Sequence, residues 1–143
     1  MLCVSICTAQ ASKKLPAKQV VPELTKFLTG TDLPFKIIND SVAVIPYEGE
    51  NIPSYQVVLQ KISDLYIIYT NLSEAIPGKL GEAQYKFLLQ RNDEFDFIKI
   101  GLADDDTFYL RADIYKSIAT TAIIKRMISQ VANVTNIMAG SLK

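Results

Sequence analysis

Three consecutive aspartates, Asp104, Asp105 and Asp106, are the group with the plainest potential for chemistry in this sequence. Clustered carboxylates bind Ca²⁺ or Mg²⁺ through their oxygens. A calcium loop starting at Asp104 would need glycine at its sixth position and glutamate at its twelfth, but the sequence has Tyr109 and Tyr115 there. The aspartates are therefore interpreted as the solvated turn of a hairpin, and the sequence predicts no metal and no cofactor.

A second acidic group, Asp93, Glu94 and Asp96, has the residue types that supply paired carboxylates for general acid–base catalysis or glycoside hydrolysis. It follows a predicted helix that carries Lys86 and Arg91, which favours a solvated connection. The chain also has no tryptophan to form sugar subsites. The sequence therefore predicts no catalytic residue in this group.

The absence of histidine narrows the function classes further. The chain has no histidine, so Ser-His-Asp, Cys-His and histidine–metal sites are all excluded. Its 15 basic and 15 acidic side chains cancel, which leaves no overall field to attract a nucleic acid. We therefore expect a protein that is not an enzyme and that does not bind nucleic acid.

The residues that favour a protein or peptide partner are tyrosines and isoleucines. Tyrosine combines an apolar ring with a polar tip and is enriched at interfaces, so Tyr55, Tyr66 and Tyr69 are candidate partner-binding residues. The alternative is that they pack across strands at the boundary of the core. Ile118 and Ile123 lie outside the main apolar stripe of the last helix, which predicts a homodimer or another partner at that helix.

Residues 1–11, MLCVSICTAQA, differ from the rest of the chain. An apolar run precedes Ala9-x-Ala11 and two lysines, an arrangement typical of the end of a signal peptide and of an exported, periplasmic protein. No basic residue precedes the run, so an apolar leader on a cytoplasmic protein stays open. Cys3 and Cys7 both lie in this segment and predict no framework disulfide. No stretch reaches the length of a membrane-spanning helix.

Residues 12–143 are predicted to form one domain, since a chain of this length suits one hydrophobic core. Apolar residues at helical spacing predict helices over residues 17–28 and 81–89 and from Ser117 to Gly140. Period-two alternation and turn residues predict strands over 35–38, 42–45, 54–62 and 65–72, and over both arms of the aspartate hairpin.

The strand patterns also indicate how the sheet is covered. Val57 and Leu59 alternate with polar residues, as in a strand with one wet face. Leu65–Tyr69 is apolar on both faces, which predicts either a central strand or a strand whose second face is covered by a helix or a partner. In the last hairpin, Ile98, Ile100 and Leu102 fall on one face and Lys99 on the other, and the returning strand sets Phe108, Leu110 and Ala112 against Tyr109 and Arg111. The order α-β-β-β-β-α-β-β-α predicts an α+β domain, an antiparallel sheet of about six strands with helices on one face.

Residues 87–114 resemble a known family. The stretches Leu88-Leu89, Asn92, Phe97–Ile100, Asp104–Asp106 and Tyr109–Asp113 are similar to the bacterial YbjN-like group, described as sensory transduction regulators. That group is similar in fold to type III secretion chaperones, so the resemblance implies the same fold. The pattern is one of packing and includes no catalytic motif.

Three functions remain open from the sequence. The first is a non-enzymatic protein-binding module, chaperone- or adaptor-like, which offers an apolar sheet face or helix groove to a partner because three helices leave much of the sheet uncovered. The second is an exported carrier that holds a small apolar ligand between sheet and helices. The third is a carboxylate- or metal-dependent enzyme.

Overall fold

A computed structural model describes residues 21–73 and 80–142. The predicted leader, residues 1–11, lies outside them. The helices are α1 (Glu23–Thr29), α2 (Glu82–Arg91) and α3 (Thr121–Ser141), with short 3₁₀ turns at Asn92–Glu94 and Lys116–Ile118. The strands are β1 (Lys36–Asn39), β2 (Val42–Tyr47), β3 (Tyr55–Ile62), β4 (Leu65–Asn71), β5 (Lys99–Leu102) and β6 (Phe108–Tyr115).

The six strands form one open sheet in the order β1-β2-β3-β4-β6-β5, with every neighbouring pair antiparallel. This confirms the predicted α+β class. The run that is apolar on both faces, β4, lies between β3 and β6, so its prediction as a central strand is also confirmed. Val57 and Leu59 are fully buried on the face that meets the helices, as the alternation indicated.

Helix α3 covers the hydrophobic core on one side of the sheet. It packs across β3, β4 and β6, and its residues Ile124, Ile128 and Val131 have no exposed surface. The sheet covers this apolar stripe, because β3, β4 and β6 together present a wide row of apolar side chains, but it leaves Ile118 exposed. We refer to the helix-covered side of the sheet as the core face and to the opposite side as the outer face.

Several predicted boundaries shift in the structure. α1 begins at Glu23, since Pro22 precedes it in an extended conformation (φ −54°, ψ 143°). β2 continues through Pro46 to Tyr47 instead of stopping at residue 45, because the fixed φ of proline is compatible with extended backbone. α3 begins after Thr120, whose hydroxyl accepts a hydrogen bond from the N–H of Ile123 at 3.2 Å, and not after the predicted cap Ser117.

Gly140 was expected to end the last helix, but it lies inside α3. The β2–β3 loop packs on the helix at this point. Asn51 donates its side-chain amide to the carbonyl of Asn136 at 3.0 Å, and its backbone N–H donates to Asn136 Oδ1 at 2.9 Å. A Cβ at position 140 would lie 2.6 Å from Asn51 Nδ2, so glycine at this position makes room for the loop.

This contact predicts that the effect of Gly140→Ala changes sign with the residue at position 51. In the wild-type chain the added methyl should clash with Asn51 and lower the free energy of unfolding by about 1–3 kcal/mol. In an Asn51→Ala background the clash is absent. Gly140→Ala should then raise the free energy of unfolding by about 1 kcal/mol, because alanine has the better helix propensity. Urea unfolding of the wild type, the two single variants and the double variant measures the coupling. An equal effect of Gly140→Ala in both backgrounds would contradict the contact.

Candidate protein-binding surface

The outer face presents one row of side chains that crosses all six strands. Successive register partners are Lys36–Val44 on β1 and β2, Val44–Val58 on β2 and β3, and Val58–Tyr69 on β3 and β4. The row continues through the pairs Tyr69–Arg111 and Arg111–Lys99. It is therefore apolar and aromatic in the middle and basic at both edges. We call these six residues the outer row.

A groove of about 570 Å³ opens beside the outer row over β3, β4, β5 and β6. Tyr69, Tyr109 and Arg111 contribute to its lining, together with Ile67, which is only 7% exposed although it lies on the outer face. A Cβ at Gly101 would lie 2.3 Å from Cζ of Tyr109, so the tyrosine ring lies against the backbone of β5 where that strand has no side chain. Glycine at position 101 thereby gives the groove an aromatic wall.

Two cations meet at the β5 end of the outer row. Lys99 and Arg111 are direct register partners, and the side chains of such pairs lie on the same face of the sheet. Arg111 Nε donates to Asp113 Oδ1 at 2.6 Å, in an ion pair whose side chains are 37% and 38% exposed. Among the described residues, the terminal guanidinium nitrogens of Arg111 make no hydrogen bond, and Lys99 makes no ion pair.

The two edges of the sheet differ. At the β5 edge, Asn92 Oδ1 accepts a hydrogen bond from the N–H of Ile100 at 2.6 Å, and Asn92 Nδ2 donates to the carbonyl of Ile100 at 3.2 Å. The side-chain amide thus pairs with the backbone of Ile100 as a neighbouring strand would. At the β1 edge, the register shifts between Ile37 and Asn39, and Ile38 is 52% exposed.

The three tyrosines predicted to bind a partner lie on different faces. Tyr69 belongs to the outer row and is partly exposed. Tyr55 lies on the core side, where its hydroxyl donates to the carbonyl of Ala132 at 3.0 Å, and burial raises the pKa of its phenol. Tyr66 is 1% exposed, and its hydroxyl donates to the carboxylate of Glu23. Of the three, Tyr69 has the position that a partner could reach on the outer face.

The two predicted isoleucines also lie apart from this face. Ile118 is 59% exposed in the 3₁₀ turn before α3, whereas Ile123 is half-buried and packs against the core. The five predicted residues therefore do not form one surface, and a partner-binding role for each remains a prediction. The alternation of the last hairpin placed Lys99 and Arg111 on the faces opposite the apolar residues of their own strands, but no sequence pattern indicated that the two residues are register partners.

Glu23 anchors the start of α1 to the sheet. Its carboxylate accepts hydrogen bonds from the hydroxyl of Tyr66 and from Lys61 Nζ, the latter at 3.1 Å. The bond from Tyr66, followed by that from Lys61, lowers the pKa of Glu23 below its ordinary value of 4.5. Burial, and then the adjacent carboxylate, raise the pKa of Tyr66. The cluster therefore stabilises the ionised glutamate in the folded chain.

This cluster predicts a stability difference that depends on pH. A carboxyl group whose pKa is lowered by folding contributes stability above the unfolded pKa, and loses it as the pH falls through the folded pKa. The Tm difference between the wild type and Glu23→Gln should therefore be largest near neutral pH and shrink below about pH 4.5. Thermal unfolding at several pH values measures it. Tyr66→Phe should make the Tm of a chain that keeps Glu23 depend less on pH. A Tm difference between the wild type and Glu23→Gln that does not change with pH would contradict the assignment.

The acidic groups that could have carried chemistry are exposed. Asp104, Asp105 and Asp106 lie in the β5–β6 turn, where hydrogen bonds from Thr107 lower the pKa of Asp105. Glu94 forms an ion pair with Arg91 of the preceding helix. Within residues 21–73 and 80–142, no three acidic, cysteine or histidine residues cluster as metal ligands would. Over the same residues, no helix is long and apolar enough to cross a bilayer.

Comparison with known proteins identifies the fold and not the family. No protein-family model and no curated protein match the sequence, so the resemblance to the YbjN-like group depends on the quoted residues alone. Solved structures do match. A chain in the heterodimeric ExoU–SpcU complex from the type III secretion system of Pseudomonas aeruginosa superposes with a TM-score of 0.58 and 15% identity, covering 82% of this chain and 95% of that one.

Two further complexes give similar values. A chain of the HopA1–SchA chaperone–effector complex matches with a TM-score of 0.60 and 9% identity, covering 82% of this chain and 90% of that one. A chain of the ExsC–ExsE complex matches with a TM-score of 0.58 and 14% identity, covering 83% and 90%. The protein therefore has the type III secretion chaperone-like α+β fold, with an open sheet of six antiparallel strands.

Proposed function

We propose that the protein is a non-enzymatic protein-binding module, chaperone- or adaptor-like, which binds a polypeptide on the outer face of its sheet. The observation that carries this proposal is the asymmetry of the sheet. The core face is filled by fully buried side chains such as Ile68 and Leu110, whereas the outer face has an open groove beside Tyr69. A groove with apolar and aromatic walls and a few polar groups suits a peptide or a folded partner.

The structural neighbours support this proposal by analogy of fold. One of them was solved as a chaperone–effector complex and another as a heterodimer. A fold can host unrelated functions, so the outer face of this chain is the main support and the neighbours are secondary. The carrier hypothesis has no supporting observation among the described residues, because fully buried side chains fill the space between sheet and α3.

Site-specific photo-crosslinking in the source organism tests the proposal. A photoreactive amino acid at Val58, in the middle of the outer row, should give one discrete adduct with another polypeptide. The same amino acid at Arg126, which is exposed on α3 across the domain, is the matched control and should give none. The mass of the adduct separates a second copy of this chain from another protein.

A substitution next to Val58 on the outer face makes the crosslinking test specific. Tyr69→Glu places a charge beside Val58 in the register and should abolish the adduct from position 58 without changing the fold. Circular dichroism and thermal unfolding of the variant check the fold. Adducts of equal yield from positions 58 and 126, or an adduct that survives Tyr69→Glu, would show that the outer face is not the binding surface.

A further inference from the structure

One pair on the outer face is unfavourable in the free protein. Like charges on directly opposite strand residues destabilise a sheet, yet Lys99 and Arg111 occupy such a pair. Asp113 compensates only in part, since it accepts from Nε of Arg111 and Lys99 has no acidic partner among the described residues. The two cations at the border of the groove repel each other, and a carboxylate bound between them would reduce this repulsion.

We infer that the outer face selects an extended segment of its partner that carries one acidic residue, with the carboxylate of that residue bound between Lys99 and Arg111. This inference rests on the proposed function and names the chemical class of the partner. In an extended segment, residues two positions apart share a face. A glutamate at the basic pair would therefore be followed on the same face by side chains that reach Tyr69 and then Val58 along the outer row.

The surroundings favour a peptide over a nucleic acid. The chain has a net charge of zero, and the residues next to the basic pair along the outer row are Tyr69 and Val58, which carry no charge for further phosphates. Asp104, in the β5–β6 turn, lines the other end of the groove and would repel a second anion. One carboxylate followed by apolar side chains fits this distribution of charge, and a polyanion does not.

Peptides of defined sequence test the inference. The probe is the peptide acetyl-Glu-Thr-Val-Thr-Phe-amide, and the control peptide has glutamine in place of glutamate. NMR titration of the whole chain should give a Kd at least about tenfold lower for the glutamate peptide, since a hydrogen bond to a charged group is worth about that factor. Lys99→Glu should abolish the preference, whereas Arg126→Glu on α3 should keep it.

Two further measurements test the repulsion between Lys99 and Arg111 and the chemical class of the ligand. Lys99→Glu replaces a like-charge pair with an opposite-charge pair, so it should raise the Tm of the free protein; an unchanged or lower Tm would remove the premise. A thymidine oligonucleotide that binds more tightly than the glutamate peptide would overturn the inference in favour of nucleic acid. Equal affinity for both peptides, or no binding of either at millimolar concentration, would overturn it as well.

The failure of this inference can be told apart from failure of the proposed function. The photo-crosslink at Val58 reports protein binding whatever the charge of the partner. If that adduct forms equally well in the wild type and in Lys99→Glu, the protein-binding function stands and the preference for an acidic residue is wrong. If no adduct forms in the wild type, the proposed function itself fails.

Discussion

Leu110→Ala is expected to lower the free energy of unfolding by about 2–5 kcal/mol, the range for leucine truncation in a well-packed core. Leu110 is fully buried on β6, between its register partners Thr70 on β4 and Ile100 on β5. Its removal would leave a cavity in the hydrophobic core on the core face of the sheet. Since domains are ordinarily stable by about 5–15 kcal/mol, this loss is a large fraction of the total.

Leu102→Ala is the matched control. Leu102 lies on the neighbouring strand β5, but at the end of the sheet, where it is 48% exposed. The same chemical change there should cost about 1 kcal/mol or less, because little cavity remains. Urea unfolding measures both variants. Equal losses from the two substitutions would mean that Leu110 is not buried in the core as the structure shows.

The fold class could be predicted because its signals are local. The alternation in β3 and the doubly apolar run of β4 indicated one half-covered strand and one central strand, and the sheet has both. Each element buries a face that its own residues define, so the period of the pattern is enough to identify it. Antiparallel hairpins then place consecutive strands next to each other, which leaves little freedom in the order.

The helix ends could not be predicted, because distant residues decide them. Gly140 is the residue type that ordinarily stops a helix, but α3 continues to Ser141, and glycine at this position instead makes room for Asn51, far away in the sequence. Ser117 and Thr120 are both suitable caps, and the choice between them depends on where the chain leaves β6. Such contacts are formed by the tertiary structure and leave no periodic signal.

The candidate site was predictable by residue type and not by position. Tyr66 and Tyr69 are three residues apart on one strand, so they necessarily lie on opposite faces, and burial decides which of them a partner can reach. The meeting of Lys99 with Arg111 depends on the register of the β5–β6 hairpin, which the length of the acidic turn sets. Patterning places each opposite the apolar residues of its own strand but does not make them neighbours.

Asn92→Ala is expected to have the second large effect, on association as well as on stability. The variant loses both hydrogen bonds to the backbone of Ile100, which should lower the free energy of unfolding by about 1–3 kcal/mol. It also exposes a strand edge, and unpaired edges are templates for pairing with another chain. We therefore expect the sedimentation coefficient of the variant to rise with concentration, through pairing of β5 with β5 of a second copy.

Two variants separate the role of the side-chain amide from other effects. Asn92 has helical dihedral angles (φ −58°, ψ −27°), which alanine also adopts, so a backbone change does not explain a loss. Asn92→Asp keeps the acceptor for the N–H of Ile100 but loses the donor to its carbonyl, and should fall between the wild type and Asn92→Ala. Asn133→Ala, at an exposed position of α3, should match the wild type in sedimentation. If Asn92→Ala also sedimented like the wild type, the side chain of Asn92 would not be what keeps the β5 edge from pairing with another chain. The difference between the two edges would then have another cause.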